Sequence, residues 1–339
     1  MRLTPPIAPM EAISTETIPV GPEWQYEPKW DGFRCLVFRD GDKVTLQSKA
    51  GKPLTRYFPD IVEAAKALRA KRFVLDGEIV VPRGRAFSFD DLLQRIHPAA
   101  SRIAKLALET PALLIVFDLL EDERGTSLLD RPLAERRAKL EAFAKKNIRR
   151  NGVRLSPATT KLSDAKGWLT KVGATLDGII AKRRDAPYAV GTRDAMVKIK
   201  NFRSADCVVG GFRYGTNSKL VGSLLLGLYD DDGLLHHIGF TSSIARAEKA
   251  ALTAKLEKLK GEGFTGNAPG GPSRWSTERS AEWVPLQPKL VVEVCYDHFS
   301  GERFRHGTRL MRWRPDKAPQ QCAMEQVKQR RADLMKLLK

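Results

Sequence analysis

Near Arg203 the pattern of the chain changes, and that change restricts the possible folds more than any other feature. Up to about residue 202, strand-like and helical segments mix without the regular strand-helix alternation of a doubly wound sheet, which excludes a Rossmann layout. Phe33 to Phe38 and Val44 to Gln47 read as a hairpin turned by Asp40-Gly41-Asp42. Residues Pro59 to Ala70 carry apolar side chains at helical spacing, and a charged helix starts after Asp130 and Pro132 and runs toward Lys146. Phe73 to Val81, Leu113 to Leu120, Ile179 to Lys182 and Val197 to Ile199 read as strands. Beyond Arg203 the pattern is three short strands (Cys207 to Phe212, Ser223 to Tyr229, Leu234 to Thr241), a helix capped by Ser242 or Ser243, and two more strands (Leu290 to Tyr296, Thr308 to Trp313). That order fits a five-stranded OB-type barrel. The first twenty or so residues, rich in Pro and small polar groups, read as an extended lead-in. Met324, Val327, Leu334, Leu337 and Leu338 offer the apolar stripe of a terminal helix.

With 339 residues and 42% apolar content the chain can bury two ordinary cores. Its 58 Lys and Arg against 40 Asp and Glu leave a formal charge of +18, which calls for a polyanionic partner. Charge alone does not separate nucleic acid from an anionic lipid surface. The stretch from Gly301 to Lys339 is especially basic, with eleven Lys and Arg against four acids, and suits backbone-tracking nucleic-acid binding. The flexible stretch Gly263 to Ser280, with Arg274, Trp275 and Arg279, reads as a solvated connector. No apolar run approaches the roughly 18 residues of a membrane span, and the opening residues lack a signal-peptide core, so a cytoplasmic protein without a membrane partner is expected. Four widely separated cysteines argue against both a disulfide framework and a thiolate zinc site.

The segment Glu27-Pro28-Lys29-Trp30-Asp31-Gly32-Phe33-Arg34 sets a lysine beside a carboxylate, a glycine and an arginine just ahead of an apolar strand. A lysine amine attacks phosphorus only when deprotonated, so it needs neighbouring cations, a metal or desolvation to lower its pKa. Lys198 and Lys200, alternating about Ile199, can supply part of that cationic surround. KWDGFR resembles the first motif of the covalent nucleotidyltransferases, the superfamily of ATP-dependent DNA ligases, RNA ligases and capping enzymes. Further elements follow in order: Ser48-Lys49-Ala50-Gly51, Asp76-Gly77-Glu78, Phe117-Asp118, Asp177-Gly178-Ile179-Ile180-Ala181-Lys182, Lys198-Ile199-Lys200 and Arg314-Pro315-Asp316-Lys317. Within the superfamily the wording EPKWDG and the two-domain length are most similar to the small bacterial ATP-dependent DNA ligases of the C type.

The resemblance implies an α+β protein: a nucleotidyltransferase (adenylation) domain with an ATP-grasp-like antiparallel sheet over residues 1–203, then an OB-fold barrel with a C-terminal helix over 204–339. It implies ATP and Mg²⁺ as cofactors, and a monomer that acts on nicked double-stranded DNA, with other DNA repair proteins as partners. Lys29 would carry AMP as a phosphoramidate, with Lys198 and Lys200 neutralising the α-phosphate. Glu27 would meet the adenine base, Phe117 would stack on it, and Arg34, Lys49, Glu78, Lys182 and Arg193 would contact ribose and phosphates. Asp31, Glu78 and Asp177 would hold the metal. Arg314 and Lys317, with Asp316, would orient the leaving pyrophosphate. RNA ligases and capping-type guanylyltransferases share the lysine chemistry, and a non-catalytic DNA-binding adaptor is the alternative from another class. Three positions depart from the family pattern: Lys49 where arginine is usual, Asp177 where glutamate is common, and Met196 where an aromatic often precedes the lysine pair.

Overall fold

The computed structural model describes residues 2–149, 152–171, 176–270, 282–328 and 333–338. It divides into two units, one of Met1–Asn201 with Arg330–Lys339 and one of Phe202–Gln329.

The first unit is built on two sheets. A five-stranded sheet runs in the order Lys43–Ser48, Phe33–Asp40, Arg72–Val80, Leu113–Glu121, Val153–Leu155, antiparallel except at its last pair. Its strands alternate. Cys35, Val37 and Leu75 face a core shared with Ile61 and Ala65 of the Pro59–Lys66 helix and Leu140 and Phe143 of the Leu133–Asn147 helix. Leu36, Phe38 and Val74 point the other way, into a cluster with Met10, Tyr188 and Met196. The period of two along each strand produces this division. A four-stranded sheet runs in the order Ile13–Ser14, Met196–Lys200, Gly178–Arg183, Trp24–Lys29. Its Tyr26, Ile179, Ala181 and Ile199 are buried with Ala165 of the Leu162–Lys171 helix, so the intervening residues of the same strands face away from that core.

Two ends of the chain differ from the sequence reading. The lead-in is bonded to the rest of its unit: the backbone amides of Arg2 and Leu3 donate to Glu121 Oε2, and Ile7 exchanges two bonds with the side chain of Gln47. No terminal helix forms among the described residues. Met324–Val327 and Leu334–Leu338 are short 3₁₀ turns. Val327 joins the core of the second unit, whereas Leu334 and Leu338 pack with Trp30, Val80 and Ile115 in the first. The apolar residues read as one stripe are divided between two cores.

The second unit is the expected OB barrel. Its strands follow the order Leu235–Thr241, Val221–Tyr229, Arg203–Tyr214, Val291–Tyr296, Arg309–Trp313. The two edges meet where Thr241 bridges Thr308, and the Thr308 amide donates to Phe240 O at 3.0 Å, so no long edge is left open. The Lys249–Glu257 helix packs Leu252 and Leu256 into the barrel core. Neither predicted serine caps it: Ser243 Oγ instead accepts from the Leu310 amide at 2.6 Å, and the residue before the helix is Glu248. The predicted connector begins inside the fold, since Phe264 is buried in the barrel core. Arg274, Trp275 and Arg279 lie outside the described residues.

Candidate functional site

The two sheets of the first unit present their polar faces to one cavity. Register across the four-stranded sheet aligns Lys29, Gly178 and Lys200 in one row and Glu27, Ile180 and Lys198 in the next. Because side chains alternate, the residues two apart on each strand share a face. Gly178 is required where it stands: its φ is +148°, and a Cβ there would sit 2.0 Å from the carbonyl oxygen of Ile199. The five-stranded sheet contributes Arg34, Asp76 and Glu78. Asp76 pairs with Asp118 and Gly77 with Val116, so Phe117 is an extra residue in the ladder at a bulge. Glu27, Lys29, Arg34, Lys49, Glu78, Phe117, Lys182 and Lys198 all line the cavity, and Pro9 to Ala12 of the lead-in close one side of it.

Lys29 Nζ donates to Asp177 Oδ2. Burial works to lower its pKa, but the Asp177 carboxylate, with Glu78 and Asp31 beyond it, outweighs burial and raises it. The amine is therefore held protonated in this state, and it must be freed from Asp177 to become a nucleophile. Burial pushes the Glu78 carboxyl up to about 7. Asp31 and Asp177 bring carboxylate oxygens within 4.8 Å of each other. Three carboxylates, one of them destabilised in its charged form, are the oxygen donors a hard divalent cation takes.

Glu27 and Lys182 form a buried pair at 2.7 Å, and Gln25 Nε2 donates to the other Glu27 oxygen at 2.8 Å. The Phe117 ring receives two cations, Lys182 at 4.6 Å and Arg34 at 4.7 Å from its centroid. Arg34 is itself fixed by a forked pair of 2.5 Å bonds to Asp76, and Tyr188 donates to the same carboxylate at 2.6 Å. The Lys198 side chain makes no hydrogen bond or ion pair among the described residues, and its pKa is lowered by burial and by Lys29, Lys49, Lys200 and Arg193. A cation kept without a counter-ion among other cations marks an anion site.

The comparisons fit this geometry. The model of the ATP dependent DNA ligase domain matches residues 8–200, and that of the ATP dependent DNA ligase C terminal region matches residues 217–317. The chain belongs to the ATP-dependent DNA ligase family. It is 45% identical over 338 residues to DNA ligase C1 of Mycolicibacterium smegmatis, covering 96% of this chain and 95% of that protein. Against DNA ligase C of Mycobacterium tuberculosis the identity is 42% over 346 residues, with 96% and 95% covered. A solved mycobacterial DNA ligase D complexed with ATP and MES superposes with a TM-score of 0.51 at 29% identity, covering 94% of this chain and 98% of that one. The expected family, the nucleotidyltransferase and OB architecture and ATP dependence are thereby established.

Of the site residues expected from this ligase's sequence, the first unit gathers Glu27, Lys29, Arg34, Lys49, Glu78, Phe117, Lys182 and Lys198 around one cavity. Asp177 bonds Lys29, Asp31 lies beside Asp177, and Lys200 lies in the Lys29 row. Arg193 stands with Lys49 through a shared contact to Glu11, at 3.0 and 3.1 Å. Arg314 and Lys317 are in the second unit, where both bond Asp206, at 2.9 and 2.7 Å. Asp316 also bonds Arg314, which holds its carboxyl down to about 2. Met196 is buried in the apolar cluster with Met10 and Tyr188. Sequence reasoning missed Glu11, Gln25, Tyr188 and Asp206 and gave Asp76 no role of its own. Most have partners far away in the chain, 112 residues separating Asp76 from Tyr188, so no short-range pattern flags them; Gln25 bonds Glu27 two residues along the same strand, and alternation there was the signal that could have found it.

Proposed function

We propose that this ligase seals nicks in duplex DNA through a Lys29-AMP intermediate. The neutral Lys29 amine attacks the α-phosphorus of ATP, a P–N bond forms, the P–O bond to pyrophosphate breaks, and the amine gives up its proton. AMP then passes to the 5′-phosphate of the nick, and the adjoining 3′-hydroxyl displaces AMP to form the phosphodiester. The observation that carries this reading is the single cavity in which Lys29 is flanked by Glu27, Phe117 and the counter-ion-free Lys198.

Each role follows from the side chain and its surroundings. Phe117 offers a ring face to the purine, and Glu27, held by Lys182 and Gln25, offers a fixed acceptor to the exocyclic amine. Arg34, held by Asp76, is aimed at ribose and phosphate oxygens. Lys198 and Lys200 oppose the negative charge on the α-phosphate, which is worth most where water is excluded. Lys49 and Arg193 provide cations at the rim. Asp31, Glu78 and Asp177 would hold Mg²⁺, which when bound offsets phosphate charge. Arg314 and Lys317 orient pyrophosphate only once they leave Asp206. The adenylation chemistry is assigned to the first unit, expected over residues 1–203 but joined by Arg330–Lys339, and the barrel to Phe202–Gln329. The chain's net charge of +18 supports binding to DNA, and in this reading the ligase is a monomer that acts on cytoplasmic, nucleoid DNA with other DNA repair proteins. No described helix is long and apolar enough to cross a membrane.

The test is sealing of a singly nicked duplex with ATP and Mg²⁺, beside the same nick in RNA and beside GTP. Sealing of DNA with ATP alone is expected. Preference for RNA ends moves the acceptor to RNA, and use of GTP moves the chemistry to capping.

A further inference from the structure

The lead-in carries a carboxylate that occupies a place suited to phosphate. Ile7 is bonded both ways to Gln47, two residues before Lys49, and Glu11 N donates to the carbonyl of Thr192, the residue before Arg193, at 2.8 Å. These bonds bring Glu11 to both cations. A single oxygen, Oε2, takes Lys49 at 3.1 Å and Arg193 at 3.0 Å. Those two cations come from different connections of the fold, and both belong to the group that burdens Lys198 with positive charge. The side chains of Lys49 and Arg193 are 59% and 64% exposed, so each bond to Glu11 is worth little and exchanges readily. A phosphate dianion has more charge and more acceptor oxygens than a carboxylate, so it competes well for the same two donors.

We propose that Glu11 is a built-in placeholder for a phosphate group: it keeps Lys49 and Arg193 converged on one point at the rim of the cavity and yields that point to a phosphate of the substrate. The inference rests on the ligase reading. Phosphate chemistry is common to two sources, the polyphosphate tail of ATP and the 5′-phosphate at the nick, and the test separates them. It also makes Glu11 a determinant of phosphate affinity, acting through Lys49 and Arg193 without touching the reacting atoms.

The experiment compares wild type, Glu11→Gln, Lys49→Met and the double variant. One arm measures the KM for ATP in self-adenylylation. The other uses enzyme already adenylylated and measures binding to nicked duplex carrying either a 5′-phosphate or a 5′-hydroxyl. Replacing Glu11 by neutral Gln is expected to tighten one arm by about threefold, the size of an exposed ion pair. A gain with ATP assigns the polyphosphate; a gain with the 5′-phosphate but not the 5′-hydroxyl assigns the nick. In either case the gain must vanish in the Lys49→Met background. No gain, a loss, or a gain that survives Lys49→Met overturns the placeholder. Wild-type enzyme that takes up no AMP overturns the ligase reading instead, so the two failures are distinguishable.

Discussion

Two carboxylates in this molecule each hold a pair of cations, and the two sets behave differently because of where they sit. Glu11, at the rim of the nucleotide cavity, holds Lys49 and Arg193, both mostly exposed. Asp206, inside the barrel unit, holds Arg314 and Lys317, whose side chains are only 19% and 20% exposed. Exposed pairs are screened and loosely held, so the rim can give its carboxylate up to a ligand. Partly buried pairs cost more to break because the group left behind stays desolvated and charged. Asp206 is further tied by its own backbone, which exchanges bonds with the Gln326 side chain at 3.0 and 3.2 Å. The same pairing is therefore loosely held at the rim and costlier to open in the barrel, so releasing Arg314 and Lys317 from Asp206 carries the larger penalty. Sequence motifs alone do not distinguish a cation that waits for a ligand from one already engaged.

The comparison is tested most strongly by the cations themselves. The Lys198 side chain has no partner among the described residues, so Lys198→Met is expected to slow self-adenylylation by about 100-fold or more while leaving the melting temperature unchanged or raised. Lys317→Met should lower the melting temperature; an equal loss of stability from both would break the distinction. Next in size, Asp206→Ala leaves two cations facing each other and is expected to cost the barrel about 3 kcal/mol in denaturant unfolding. A loss below about 0.5 kcal/mol would put Asp206 in the same class as an exposed pair.

Acid sharpens the contrast. His237 in the barrel has its pKa lowered to about 4 by burial, helped by Arg303 and Arg213. An unfolded histidine titrates near 6.5, so between those values the unfolded chain binds more protons than the folded one. Barrel stability is then full above pH 6.5 and falls as the pH drops toward 4, by about 2 kcal/mol after allowance for partial exposure. Hydrogen exchange resolved by unit should show that loss in the barrel, and His237→Gln should remove it. The smallest effect belongs to the rim: Glu11→Ala should change stability by less than about 0.5 kcal/mol, measured in the same denaturant titration.

Much of this was legible in the sequence because the informative residues are close together. Glu27, Lys29, Asp31 and Arg34 occupy one short stretch, and the alternation of Lys198, Ile199 and Lys200 already separates a polar face from a core face. The barrel was legible from the order and spacing of its strands and helix. The supports were not. Asp76 and Tyr188 beneath Arg34 and Asp206 beneath Arg314 become partners only when distant parts of the chain meet, whereas Gln25 stands two residues from Glu27 on one strand and belongs to no motif. The terminal 3₁₀ turns were misread for a related reason. Helical spacing of Met324, Val327, Leu334 and Leu338 records that Val327, Leu334 and Leu338 are buried and Met324 partly so, but not that two cores take them up. Glu11 was hidden by the low complexity of the residues before it, which carry no periodic signal.

The account stands or falls on the identity of the nucleophile. Incubation with α-labelled ATP and Mg²⁺, followed by denaturing separation and peptide mapping, measures it for wild type and Lys29→Ala. Label on the peptide containing Lys29, lost by at least about 1000-fold in the variant, is the predicted result. Label on another lysine, or label that persists in Lys29→Ala, would contradict it.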